Sequence, residues 1–239
     1  MGLLSSGFAG PLYIVDNSRE SSLEAVLPSD PRIHYLHLGG RNLGFGAAHN
    51  LVRNLELGTF HLILNPDIVF PEPTVLQRLV AVLDENPSIS MIQPLICDVL
   101  PPHHVQRLCK RDPTLLAQIG RAVLGPIYHR ALRRYNEWYE MQSEAYGSSL
   151  VLSTYLSGAF MLCRTDKLHR AGWFDPAFFL YLEDADLTRR LAAYGPCVHC
   201  PWVLVYHHWA RFNRTRLIPF LSAAWSFVIY SRKWGLVGW

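Results

Sequence analysis

Short apolar runs alternate with amphipathic stretches along the first hundred residues. Leu12-Tyr-Ile-Val15 is a continuous apolar run that stops at Asp16-Asn17-Ser18, and it reads as a buried strand. Arg32 to His37 alternates and reads as a second strand, broken at Gly39-Gly40. Gly44-Phe45-Gly46 then opens a helix through Ala47, Ala48, Leu51, Val52 and Leu55. Phe60 to Leu64 is a third strand, stopped by Asn65-Pro66-Asp67. A helix is predicted from Pro73 to Leu83, with Val75, Leu76, Leu79 and Leu83 on one face, and a fourth strand from Ile89 to Pro94. This alternation predicts a layered α/β domain with a largely parallel sheet.

The second half is less regular. Pro101 to Gly147 is the most basic region, with Arg107, Lys110, Arg111, Arg121, Arg130, Arg133 and Arg134, and shows helical spacing in Leu115, Leu116, Ile119 and Val123. Such a run is ordinarily a solvated face, and here it could also meet a phosphate-bearing partner. Tyr155 to Cys163 reads as a strand with Gly158 inside it, which suggests close approach by a ligand or another backbone. Cys197 to Val205 is extended and β-rich. Leu217 to Ser231 is uncharged, aromatic-rich and flanked by Arg214, Arg216, Arg232 and Lys233. It falls short of the ~20 residues that cross a bilayer. Two readings stand: an ordinary helix packed on the domain, or a helix in a membrane interface with tryptophans at headgroup level.

The most informative stretch is Trp173 to Leu187. Glu183, Asp184 and Asp186 directly follow an aromatic and apolar run. Leu187 and Leu191 lie one helical turn apart and Gly195 is a stop, so the acids sit at or near the first turn of a short helix. Complementing the helix dipole accounts for one or two of them. It accounts less well for a cluster beside Phe178, Phe179 and Tyr181, where carboxylates are costly to desolvate unless something uses them.

Composition narrows the classes. The 239 residues are half apolar, enough for one sizeable core, and the net charge of +3 is too small to argue for nucleic acid. The chain shows no secretory signal at its start. Five scattered cysteines fit a reducing, cytoplasmic compartment. Cys197 and Cys200 have the spacing of a metal or redox pair, but three-residue spacing in a strand points the thiols to opposite faces.

Asp16, Asn42 to Asn50, and Asn65 to Asp67 each follow an apolar strand, and ligands of open α/β sheets bind at the carboxyl ends of strands. Gly44 and Gly46 allow backbone amides to approach a phosphate at a helix start. Taken singly, the glycines are turn residues, and Asp16 and Asp67 are turn formers. Asp67 offers a hard divalent cation an oxygen, and His207 a nitrogen that suits manganese. Singly, His207 or His208 is an ordinary surface or hydrogen-bonded histidine.

The ordered series V-D-N-S, N-L-G-F-G-A-A-H-N, L-N-P-D, S-G-A-F-M-L, G-W-F-D-P-A-F-F-L-Y-L-E-D-A-D-L and Y-H-H, from Tyr13 to His208, resembles the family 2 glycosyltransferases with a GT-A fold. The tail H-H-W-A-R-F-N-R-T-R and the middle R-L-C-K-R-D-P are similar to the bacterial rhamnosyltransferase-like branch. The resemblance implies a Rossmann-like, mostly parallel mixed sheet flanked by helices. It implies a GT-A domain over residues 1–212, with 101–147 as a helical acceptor-side insertion, and a carboxy-terminal amphipathic, aromatic helix over 213–239. It places Asp16 by the nucleobase, and Asn17, Asn42, Gly44, Phe45, Gly46, His49 and Asn50 along the donor. Asn65 stands where the family's D-x-D motif has its first acid. Asp67, with His207, would hold Mn2+ or Mg2+ on the donor diphosphate. Asp184 matches the general base, with Glu183 and Asp186 beside it.

The implied activity is inverting transfer of a sugar, with rhamnose a candidate, from a nucleoside-diphosphate donor to a glycan or lipid-linked acceptor in cell-envelope polysaccharide synthesis. Peripheral contact through 217–236 would place the protein on the cytoplasmic face of the inner membrane. Family members begin with a further strand and helix before V-D-N, a unit that Gly7, Gly10 and Pro11 do not make, so an unpaired strand edge is expected there. That departure keeps a second reading in view, an inactive nucleotide-sugar-binding protein or scaffold. A nucleotidyltransferase would carry a glycine-rich, lysine-bearing phosphate loop near its start, which the chain does not show.

Overall fold

The computed structural model describes residues 2–21, 23–118, 132–144, 146–208 and 217–235. Ile119, Val123, Arg121, Arg130, Arg214 and Arg216 lie outside them. The strands are β1 (Leu12–Asp16), β2 (Ile33–His37), β3 (Phe60–Leu64), β4 (Ile68–Val69), β5 (Met91–Asp98), β6 (Cys109–Lys110), β7 (Val151–Leu152), β8 (Tyr155–Leu156), β9 (Phe160–Arg164) and β10 (Cys197–His207). The helices are α1 (Phe45–His49), α2 (Val75–Glu85), α3 (Arg133–Tyr139), α4 (Thr165–Arg170), α5 (Glu183–Ala192) and α6 (Leu217–Trp234).

The central sheet runs β3-β9-β5-β10-β4, with β7 also paired to β10. β5 and β10 are parallel from Met91 opposite Cys197 to Asp98 opposite His207, while β9 runs antiparallel to both β3 and β5. β3, β5 and β10 therefore share one direction. β1 and β2 form a separate parallel pair, and β6 pairs with β8. The sheet is mixed, as the resemblance implies, but it is not mostly parallel: among the described residues its β3–β9, β9–β5, β10–β4 and β10–β7 pairings are antiparallel, because β9, β4 and β7 run against β3, β5 and β10.

Alternation along the strands fills two cores, one on each face. In β9, Met161 and Cys163 enter the core that holds Ile63, Trp173, Phe174 and Leu187, while Phe160 and Leu162 enter the core built with Leu79 and Leu83 of α2. Cys197 and Cys200 of β10 divide the same way, as their spacing predicts, and all five cysteines are free and buried. Burial pushes the Cys197 thiol up to about 12, which makes it an inert core residue.

Three elements differ from the sequence reading. The run from Tyr155 to Cys163 is not one strand: it breaks into β8 and β9 around a turn at Ser157-Gly158-Ala159. Buried Gln93 braces that turn, its side-chain amide donating to the Ser157 oxygen at 2.6 Å and the Phe160 oxygen at 2.8 Å. The helix after Gly44 is shorter than its apolar spacing predicts. It passes into a 3-10 turn at Asn50–Val52 and leaves Leu55 exposed. The tail helix α6 packs on the body through buried Tyr230 and Ser226, the latter donating to the Leu180 oxygen at 2.8 Å. Its other face, with Leu221, Trp225 and Val228, is exposed.

Candidate active site

The carboxyl ends of the parallel strands gather the polar residues that the sequence singles out. β1 delivers Asp16, whose carboxylate accepts from the Ser18 N–H at 2.8 Å and the Tyr35 hydroxyl at 2.7 Å. Hydrogen bonds from Ser18 and then Tyr35 hold the Asp16 carboxyl below its usual value. Asn17 ties this strand end to the glycine loop: its side-chain amide donates to the Gly44 oxygen at 3.0 Å, and its oxygen accepts from the Leu43 N–H at 3.2 Å. Asn42 caps the same turn by accepting from the Gly44 N–H at 2.9 Å.

Gly44 has φ 84°, and a Cβ there would stand 2.1 Å from the Phe179 oxygen. Only glycine fits, because the Phe45 N–H donates to that oxygen at 3.2 Å. The glycine loop is thus held to the segment just before α5. That segment is strained. Tyr181 (φ 71°) and Leu182 (φ 63°) are consecutive left-handed residues with side chains, at a cost on the order of 1–3 kcal/mol each.

The strained turn aims the first residues of α5 at the break between β8 and β9. The Asp184 carboxylate accepts from the Gly158 N–H at 3.0 Å and from the Ala185 N–H at 2.9 Å. A Cβ on Gly158 would lie 2.9 Å from the Phe45 ring and 3.5 Å from the Asp184 Cβ, which is the close approach the glycine provides for. Glu183 is buried, and one of its carboxylate oxygens has no hydrogen-bond partner. Burial, reinforced by the charge of Asp184, pushes the Glu183 carboxyl up. Burial likewise pushes Asp184 up, opposed by the Gly158 N–H and the Lys110 charge. Asp184 is only partly buried and so is the more accessible of the two.

From Gly158 the site continues to the end of β3. The Asn65 N–H donates to the Ala159 oxygen at 3.0 Å. Nε2 of His207, the last residue of β10, stands 3.1 Å from the Asp67 carboxylate and 3.4 Å from the Asn65 side-chain amide. The ring of His207 is the largest influence holding the Asp67 carboxyl below its usual value. The adjacent His208 donates its backbone N–H to the Asp67 main-chain oxygen at 3.0 Å. Residues 67, 184 and 207 thus belong to one continuous edge.

Three candidates fall elsewhere. Asn50 spends both ends of its amide on Phe174, at 2.8 and 3.0 Å, and braces the loop before α5 from behind. His49 packs between Phe45 and Phe174, where burial brings its pKa down to about 4. Asp186 is fully buried on the opposite side of α5, bonded to Arg190 at 2.8 Å, Lys233 at 2.9 Å and the Trp234 indole at 2.8 Å. It anchors the tail helix rather than facing the cleft.

Sequence reasoning missed Gln106, which contacts His207, Asp98, which holds Gln106, and Gln93 and Lys110 around Gly158 and Asp184. Their places depend on pairings between distant segments, which no local pattern encodes. Among the described residues, no group of three or more His, Cys, Asp or Glu could hold a metal ion. Asp67 and His207 nevertheless fit a divalent cation. They supply one oxygen and one nitrogen, and Mg2+ and Mn2+ commonly take their remaining ligands from water and substrate phosphates.

The fold is that of the GT-A glycosyltransferases. The chain superposes on GalNAc-T7, solved with UDP, GalNAc and Mn2+, with a TM-score of 0.57 at 13% identity, over 87% of this chain and 40% of that one. It superposes on S. aureus TarS 1-349 with a TM-score of 0.54 at 16% identity, over 85% and 54%. The mannosyltransferase PcManGT of Pyrobaculum calidifontis, in complex with GDP-Man and Mn2+, gives a TM-score of 0.52 at 13% identity, over 85% and 49%. The chain thus spans about half the length of these solved structures. No family model matches it. In sequence it is 30% identical over 216 residues to the N-acetylglucosaminyl-diphospho-decaprenol L-rhamnosyltransferase of Mycobacterium tuberculosis, covering 84% of this chain and 67% of that protein. The chain belongs to the family 2 glycosyltransferases, in their rhamnosyltransferase-like branch.

Proposed function

We propose that the protein transfers a sugar, with inversion, from a nucleoside-diphosphate donor to a glycan carried on a lipid, in cell-envelope synthesis. The observation that carries this reading is the convergence of Asp184 with Asp67 and His207 along one sheet edge through Gly158, Ala159 and Asn65. Relatives support the donor class: TarS is solved with UDP and with UDP-GlcNAc, and PcManGT with GDP-Man. The Mycobacterium tuberculosis relative is named for rhamnose transfer to a decaprenyl-diphosphate-linked sugar, which favours rhamnose and a lipid-linked acceptor here.

Asp184 is the general base. Its carboxylate is held by two N–H groups and is partly open, so it can take the proton of an acceptor hydroxyl as that oxygen attacks the anomeric carbon. Glu183, buried beside it, is held in its protonated form by burial and by the charge of Asp184. Asp16 and Asn17 with the Gly44 loop hold the nucleotide, and Asp67 with His207 would hold Mn2+ or Mg2+. Such an ion, when bound, offsets charge gathering on the departing diphosphate.

The tail extends the reading to a surface. Past Asp186 the sequence carries arginines and a lysine but no acidic residue. The exposed face of α6 shows Leu221, Trp225 and Val228 at helical spacing. This face rests on an anionic membrane surface from the cytoplasmic side, which brings the site to its lipid-linked acceptor. No helix of the described residues is long and apolar enough to cross a membrane.

Release of nucleoside diphosphate from a panel of nucleotide sugars, with Mn2+ and a polyprenyl-diphosphate sugar acceptor, tests the assignment. Asp184→Asn lowers turnover by about 10²–10⁴-fold while donor binding by calorimetry persists. Near-normal turnover of that variant would remove Asp184 from the role. Donor binding without turnover by the wild-type protein with every acceptor tried would favour a binding scaffold.

A further inference from the structure

Gln106 lies in the irregular segment between β5 and β6, outside every motif of the family resemblance. It is buried, and all of its polar atoms are engaged. Its side-chain nitrogen donates to the Asp98 carboxylate at 2.7 Å and to the main-chain oxygen of His207 at 3.1 Å. Both of those partners can only accept, so the orientation of the amide is fixed. The Gln106 side-chain oxygen must then face His207 Nδ1, which it does at 2.8 Å. An amide oxygen can only accept, so Nδ1 carries the proton.

The consequence appears on the other side of the ring. A neutral imidazole with its proton on Nδ1 presents a lone pair at Nε2. That lone pair points at the Asp67 carboxylate, 3.1 Å away. The lone pair and the carboxylate repel unless a second ring proton or a bound cation joins them, and the Asn65 side-chain amide, 3.4 Å from Nε2, faces the same space. Asp98 ends β5 directly opposite His207 in the sheet register, so the carboxylate that fixes Gln106 is itself set by strand pairing.

We propose that Gln106 is a positioning residue for the candidate metal centre: through Asp98 it fixes the His207 ring so that Nε2 is the ligand atom beside Asp67. This rests on the proposed role of Asp67 and His207 as the cation-binding pair. Sequence alone hides it, because a glutamine in a loop carries no titratable signature. Its geometry is the familiar arrangement in which the distal nitrogen of a metal-binding histidine donates to a fixed oxygen.

The test has one readout without metal and one with it. Long-range 1H–15N correlation spectra of the metal-free protein assign the His207 tautomer. The expected form in the wild-type protein has Nδ1–H, whereas a wild-type ring protonated on Nε2 alone overturns the inference without any variant. Gln106→Leu releases the ring to the Nε2–H form and weakens Mn2+ binding, followed by the paramagnetic resonance of free Mn2+, by about 10- to 100-fold. A Gln106→Leu protein with wild-type melting behaviour, wild-type Mn2+ affinity and the Nδ1–H tautomer also overturns it. Asp67→Ala and His207→Ala serve as references. If neither weakens Mn2+ binding, the metal-centre reading itself fails; if both do and Gln106→Leu does not, only the positioning role falls.

Discussion

Glu183 and Asp184 are adjacent in the chain yet occupy different environments, and the difference can be measured. In the unfolded chain Glu183 loses its proton near the ordinary value of 4.5, whereas burial in the fold holds the proton on to higher pH. Between those values the folded state binds more protons than the unfolded one. The contribution of Glu183 is therefore fully present at low pH and is lost as pH rises through the folded value. Glu183→Gln removes the charged form, so its melting temperature rises relative to wild type by more at pH 8 than at pH 5. A gain equal at both pH values would contradict the burial argument. Because Glu183 keeps its proton while Asp184 ionises, Glu183→Gln leaves the acidic limb of the pH–rate profile in place.

At the level of elements, helix α5 is organised by its two sides. Asp186 holds Arg190, Lys233 and the Trp234 indole with no exposure of its own, and Lys233 also reaches Asp175 at 2.8 Å. Removing one partner of a buried ionic cluster leaves the others uncompensated, at a cost of about 3–5 kcal/mol. Asp186→Ala should therefore unfold at markedly lower urea concentration than wild type, with the fluorescence of the tail tryptophans changing earliest. A variant as stable as wild type would show that the anchor is dispensable. The sequence places this acid correctly on the first turn of a helix, but which of three neighbouring acids faces the cleft depends on helix phase against a segment 48 residues away. Strands β1 and β3 were legible because apolar runs end at turn residues, and β2 because its residues alternate up to Gly39-Gly40. The break at Gly158 was not, because Phe160 to Cys163 stays apolar across it and Gln93, from β5, does the shaping. The GT-A order of motifs exposed Asp16, Asn65, Asp67, Asp184 and His207, and hid Gln106, which no motif contains.

Across the whole molecule two properties follow. His49 and His61 lie among aromatic rings, and burial brings both down to about 4 from 6.5. Their contribution to stability is present above 6.5 and is lost as pH falls from there towards 4, opposite in sign to that of Glu183. His61→Asn should gain on wild type in melting temperature as pH is lowered through that window, and a constant difference would argue against a neutral buried ring. The second property is the acid-free carboxy-terminal sequence with its exposed Trp225. The protein should float with vesicles containing anionic lipid, less so in high salt, and Trp225→Glu with Leu221→Glu should leave it in the soluble fraction. Equal flotation of wild type and double variant would reject the α6 face as the contact.

Asp184 and Asp186 are two positions apart, so on a helix of 3.6 residues per turn they point about 200° from each other. One contacts Gly158 and the other grips the tail. Helix α5 therefore ties the anchor of α6 to Asp184, the proposed general base, within a single turn.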